Sequence, residues 1–204
     1  MMRTVGILMF DEVEVLDFAG PFEVFALASI RQPDATEEKA FRVVTLSEKK
    51  GQVAARNGLK VSTDYGFDDH PALDVLIVPG GYGAEEIAIR SEATLAWIKQ
   101  QAELSELTAS VCTGALLLAE AGLLNGLEAT THWMDLDRLE HDYPAVRVRR
   151  EIRYVDQGRI VTSGGISAGI DMSLHLVGRL CGTDVARNTA LRMEYEWRAV
   201  PEPN

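Results

Sequence analysis

The chain has 204 residues, 47% of them apolar and 25% charged, an ordinary balance for a globular protein long enough to bury a sizeable core. Twenty Lys and Arg against 31 Asp and Glu leave a formal net charge of −11, which argues against nucleic acid or an anionic membrane surface as the main partner. No apolar run approaches the ~20 residues of a membrane span. The apolar stretch Val5–Phe10 meets an acidic segment with no small-residue cleavage site, so it does not read as a secretion signal. A cytoplasmic chain forming one domain over residues 1–204 is the expectation. Its two cysteines, Cys112 and Cys181, offer neither a disulfide framework nor a metal-ligand spacing, and no metal or cofactor is expected.

Thr4–Phe10 reads as a strand buried on both faces, followed by a polar connection into a helix whose first turn holds Pro21. Arg31–Lys39 is polar and reads as a surface loop, and Phe41–Leu46 as the next strand. Asn57–Gly58 between short alternating runs predicts a hairpin over Val53–Val61. Asp74–Val78 is another buried strand, running straight into Pro79-Gly80-Gly81-Tyr82-Gly83. Ser91 caps a predicted helix over Glu92–Leu104. Beyond Leu118 come a short strand Ala129–Thr131 ending at His132–Trp133, and a helix over Met134–His141. Three short strands follow, Val146–Val148, Ile152–Val155 and Ile160–Thr162. A long helix over Ile166–Leu180 ends at Gly182, a last one spans Asp184–Trp197, and the PEPN tail is expected to fray. Strands alternating with helices predict a mostly parallel sheet covered on both faces.

The stretch Leu107–Leu118, LTASVCTGALLL, reads as a strand, a tight turn carrying Cys112, and a helix opening at Thr113–Gly114. Ser110 and Gly114 give it the spacing of a nucleophile elbow with sulfur as nucleophile. The N–H groups of a helix start favour negative charge, so a thiolate is expected there. Four strand-to-helix connections carry unusual residues: Asp11–Pro21, Pro79–Gly83, Cys112–Gly114 and Ser163–Ser167. In an open parallel sheet such connections lie together at the carboxyl ends of the strands, where ligands bind. They would supply a nucleophile, amide donors and a carboxylate, the parts of a covalent acid–base mechanism. Plainer readings stand beside this one. Cys112 and Cys181 could simply pack, Asp17 could cap its helix, and His132 could be a hydrogen-bonded interface histidine. Trp133 and the Tyr195–Trp197 pair read as packing. Gly81-x-Gly83 is followed by Glu86 at the position of the third dinucleotide-binding glycine, which excludes that fingerprint.

SVCTGALLLAEAGLLNG, ATTHW and TSGGISAGIDMSLHLVG, with GILMFDEVEVLDFAGPFEV and PGGYG ahead of them, resemble the ThiJ/PfpI superfamily over nearly the whole chain. Within it they look most like the isonitrile (isocyanide) hydratase branch, and they are similar also to the N-terminal domain of some AraC-type regulators. The resemblance implies a single ThiJ/PfpI-like domain, class I glutamine amidotransferase-like. The implied fold is a flavodoxin-like α/β three-layer sandwich, mostly parallel and usually dimeric. It places Asp17 beside the Cys112 thiol, with D-x-x-x-P intact as Asp17 and Pro21. Protease-like relatives carry His after the cysteine; this chain has Thr113, which argues against peptidase activity. His132 falls in a region the superfamily places near the subunit interface.

The implied activity is addition of water to an isonitrile, a small electrophile, giving an N-substituted formamide through a Cys112 thioimidate. Asp17 is the expected acid and base, and the Thr113 hydroxyl would hold the aspartate or the water. Gly81 and Thr113 would supply backbone donors to developing charge, with Gly80, Gly165, Ile166 and His132 lining the site. A glyoxalase- or deglycase-like enzyme and a non-enzymatic ligand- or redox-sensing protein are the alternatives.

Overall fold

The computed structural model describes residues 2–34 and 36–197. The chain opens with strand β1 (Arg3–Leu8) and helix α1 (Val15–Leu27), then a surface hairpin β2 (Ser29–Arg31) and β3 (Glu37–Lys39). Strand β4 (Phe41–Leu46) precedes a second hairpin, β5 (Gln52–Ala54) and β6 (Lys60–Ser62). Next come β7 (Val75–Val78), α2 (Tyr82–Glu86), α3 (Glu92–Leu104), β8 (Leu107–Ser110) and α4 (Gly114–Glu120). The last part holds β9 (Glu128–Ala129), α5 (Leu136–Asp142), β10 (Arg147–Val148), β11 (Tyr154–Asp156), β12 (Ile160–Ser163), α6 (Ala168–Cys181) and α7 (Thr183–Arg192).

Six strands form the central sheet in the order β11-β12-β8-β7-β1-β4, parallel throughout except for the antiparallel β11–β12 pair at one edge. Strand alternation divides the core in two. Val5, Ile7, Val75, Ile77, Leu107 and Ala109 face one layer with α1, α6 and α7. Leu8, Leu76 and Val78 face the other, with α3 and α4. This is the mostly parallel, doubly covered sheet that the alternating pattern predicts and the flavodoxin-like α/β sandwich that the resemblance implies. No helix of the described residues is long and apolar enough to cross a membrane.

Several elements differ from the sequence reading. Pro21 lies inside α1, not in its first turn, because Glu14 caps the helix two residues ahead of Leu16 and its side chain accepts from Val15 N–H at 3.1 Å. A proline lacks an N–H, so the main-chain carbonyl of Asp17, four residues back, has no helical donor. Arg31–Lys39 holds hairpin strand residues, not only loop: Ser29 pairs Lys39 and Arg31 pairs Glu37. Its turn is set by Asp34, whose carboxylate accepts from the Thr36 N–H at 3.0 Å and hydroxyl at 2.6 Å. Both strands lie on the surface, so no apolar alternation marks them. The Asn57–Gly58 hairpin forms as the turn chemistry predicts, with both residues at positive φ. The last helix stops at Arg192, where Glu194 turns left-handed at φ 50° and sends Tyr195 back to Asp171. The PEPN tail lies outside the described residues.

Candidate active site

Cys112 stands on the turn between β8 and α4 at φ 56°, a left-handed conformation that ordinary side chains avoid at a cost of roughly 1–2 kcal/mol. Neighbouring strands hold it there. Its N–H donates to Gly164 O at 3.2 Å, and its carbonyl accepts from the Thr131 hydroxyl at 2.8 Å. Two glycines let the loops close on each other. A Cβ on Gly114 would sit 2.1 Å from Val78 O, and one on Gly80 would sit 2.5 Å from Thr113 N. Gly114→Ala is therefore expected to cost about 3 kcal/mol or more, by forcing apart the ends of two central strands. Urea unfolding checks this; an unchanged midpoint would contradict it.

The carboxyl group comes from α1. Asp17 is 0% exposed, and its Oδ2 accepts from Gly80 N–H at 3.1 Å. Oδ1 is buried without a hydrogen-bond partner. Glu14 performs the capping, so Asp17 is free of that role. Burial raises its pKa from 3.8 to about 7, with Glu14 adding repulsion, against the lowering effects of Gly80 N–H, the Cys112 thiol and Ile166 N–H. Cys112 is 6% exposed. Burial pushes its thiol up, and the facing Asp17 pushes it further, while the Thr113 N–H and hydroxyl pull it down. The free thiolate expected from the helix start is therefore not the resting form. The donor at that end is present but outweighed, and the pair rests as a neutral thiol against a carboxyl poised near neutrality.

Thr113 is 1% exposed and turns inward, where its Oγ1 accepts from Gly81 N–H at 2.9 Å. Both glycine amides of the β7–α2 turn are thus spoken for, Gly80 by Asp17 and Gly81 by Thr113. This differs from the expectation of a Gly81 N–H open to substrate. Ile166 sits at φ 54° on a left-handed turn before α6, not on the helix itself, and its N–H is among the influences that lower the Asp17 pKa. Gly165 leaves room for His132, whose ring carbon Cδ2 would be 2.1 Å from a Cβ there. The Nδ1 of that histidine faces Met134 N–H at 3.4 Å and Asp135 at 3.6 Å, and the strongest partners of the thiol are Asp17 and Thr113. The four connections named from sequence do converge.

Two features escaped the sequence reading. Trp133 is 74% exposed, so it is not core packing; it lines a cavity of about 250 Å³ with Thr131, Leu136, Ile152 and Gly165 behind the elbow. Glu85 of α2 is half-buried, and burial followed by Asp135 raises its pKa. The sequence reading places no helix at α2 and gives Glu85 no role. Among the described residues no group of His, Cys, Asp and Glu is arranged to hold a metal ion.

The model of the DJ-1/PfpI family matches residues 3–179. The chain belongs to the DJ-1/PfpI family. It is 39% identical to an isonitrile hydratase of Pseudomonas putida over 96% of this chain and 79% of that protein. It is also 32% identical to the HTH-type transcriptional regulator GbdR of Pseudomonas aeruginosa, over 95% of this chain but only 51% of the regulator. The chain thus spans about half the length of such regulators. A ThiJ/PfpI family protein of Pseudomonas syringae superposes with a TM-score of 0.84 at 28% identity, covering 100% of this chain and 78% of that one. These similarities bear out the ThiJ/PfpI and hydratase-branch resemblance of the motifs.

Proposed function

We propose that the protein is an isonitrile hydratase-like enzyme with Cys112 as nucleophile and Asp17 as acid and base. The observation that carries this reading is the sealed carboxyl of Asp17, with one oxygen unpartnered, set against the Cys112 thiol. An isonitrile, R–N≡C, needs a nucleophile and a proton delivered to the same terminal carbon. The sulfur of Cys112 adds to that carbon as the thiol proton passes, through Asp17, to it. This gives the thioimidate R–N=CH–S–Cys112. Water then gives a proton to the Asp17 carboxylate as its oxygen attacks the carbon, and Asp17 passes that same proton to the nitrogen; the remaining hydroxyl proton goes, again through Asp17, to the departing sulfur. Collapse breaks the C–S bond, returns the thiol and releases R–NH–CHO. Acid–base assistance of this kind is typically worth about 10²–10⁴-fold.

Similarity to the hydratase over 96% of the chain supports the substrate class. The test is turnover of a simple aryl or alkyl isonitrile, followed by formamide release, with Cys112→Ala as the blank. Wild-type turnover no better than the blank would sink the proposal. Methylglyoxal in the same assay decides against or for the deglycase-like alternative. Similarity to the regulator over 95% of the chain favours a second reading, in which the site binds its electrophile as a sensor. An adduct mass on Cys112 that persists without product would mark that case.

A pH limb follows from Asp17. Its carboxyl is protonated below about pH 7 and ionised above. With both groups protonated the pair lacks a base for the thiol. The value of kcat/KM is therefore expected to fall as pH drops through about 7, and a profile flat from about pH 5 to 8 would contradict the assignment.

A further inference from the structure

We propose that Thr131 is a positioning residue for Cys112, holding the elbow by the Cys112 carbonyl. At φ 56° the elbow sits in a conformation that its own backbone disfavours, so bonds from outside must keep it there. Cys112 offers two main-chain handles. Its N–H donates to Gly164 O at 3.2 Å, and its carbonyl accepts from the Thr131 hydroxyl at 2.8 Å. The Ala115 N–H reaches the same carbonyl at 3.3 Å, but it belongs to α4, which the elbow itself starts. That bond moves with the elbow and cannot fix it against the sheet. The Thr131 bond is shorter and comes from another part of the chain.

Both handles trace to β12, the strand paired with β8. Gly164 directly follows its last residue, Ser163. Thr130 hangs from it, because the Thr130 N–H donates to the Thr162 hydroxyl oxygen at 2.9 Å. Thr130 and Thr131 are each 2% exposed, so these bonds are shielded from water. The effect reaches the thiol through covalent geometry. The Cys112 carbonyl and the Thr113 N–H lie on opposite edges of one planar peptide, so a bond that aims the first aims the second. That N–H is among the groups that pull the thiol pKa down. Without the Thr131 hydroxyl the peptide tilts more freely, and the thiolate forms less readily.

The inference deepens the reading of Cys112 as nucleophile and rests on it, but its test reads the thiol without isonitrile. Cys112 is alkylated with iodoacetamide from about pH 6 to 9, with peptide masses counting Cys181 separately. At about pH 8, Thr131→Val is expected to react at Cys112 roughly 3- to 10-fold slower than wild type, the scale of one hydrogen bond. Its profile of rate against pH should lie at higher pH, while the Cys181 rate is unchanged. Thr131→Ser keeps the hydroxyl and should return the Cys112 rate to within about 2-fold of wild type. A threonine that only stabilises the fold predicts the opposite sign, because a loosened chain exposes a buried thiol and both cysteines react faster. Unchanged or faster alkylation of Cys112 in Thr131→Val overturns the proposal, as does a Thr131→Ser variant as slow as the valine one. Thr131→Ala carries the comparison if Thr131→Val does not fold. Slowed alkylation in a protein that turns over no isonitrile would uphold the role of Thr131 and strike the hydratase reading alone.

Discussion

Asp17→Asn is expected to make the protein more stable above neutral pH while removing most of its turnover. In the folded chain the Asp17 pKa is raised from 3.8 to about 7, so between those values the folded state holds a proton that the unfolded chain has released. Stability from this group is fully present below about pH 4, falls as pH rises to about 7, and is then level. Each unit is worth about 1.36 kcal/mol, so the ionised aspartate costs on the order of 4 kcal/mol at about pH 8. Asparagine carries no charge to bury and keeps an oxygen for the Gly80 N–H. Its urea midpoint should exceed that of wild type at about pH 8 and approach it at about pH 4. The same substitution removes the proton carrier, and kcat should drop about 10²–10⁴-fold. A variant no more stable at high pH would show that the carboxyl is not held at the cost its burial implies.

Cys112→Ala is expected to reduce isonitrile turnover to the level without protein, because no other group in the site can form the carbon–sulfur bond. The variant also separates chemistry from strain. Alanine inherits the left-handed backbone at φ 56°, whereas glycine adopts that region freely. Cys112→Gly should therefore be at least as stable as Cys112→Ala, despite the greater freedom of glycine in the unfolded chain, with a gap of up to about 1 kcal/mol. Thermal unfolding of the two inactive variants measures it. A glycine variant clearly less stable than the alanine one would mean that the elbow stores no strain.

The elbow was readable because its causes are local: a buried strand, Ser110 and Gly114 two residues either side of Cys112, and an apolar helix beyond. The strand DVLIV and its glycine-rich exit were readable for the same reason. Pro21 misled because Glu14, a less usual cap, begins α1 earlier than the proline suggests. The surface hairpin was hidden because strands exposed on both faces need no apolar alternation. The state of the thiol was beyond sequence reasoning. It is set by α1 and the β12–α6 turn, which bury Cys112 from far along the chain, and by an aspartate 95 positions earlier. The partner of Gly81 is likewise a tertiary fact. Local spacing names the groups, but only packing assigns their protons.

The close approach of Gly80 to Thr113 and of Gly114 to Val78 limits how this scaffold can diverge. A side chain gained at either glycine wedges two strand exits at once, so the turns that carry Cys112 and hold Asp17 must be inherited as a unit. The exposed surface is under no such restriction: Tyr82, Ile87 and Trp133 stand in solvent and can be exchanged without disturbing the sheet. The elbow is thus the constrained part of the molecule and the exposed surface the free part, which bears on how one architecture can underlie an isonitrile hydratase and part of a transcriptional regulator.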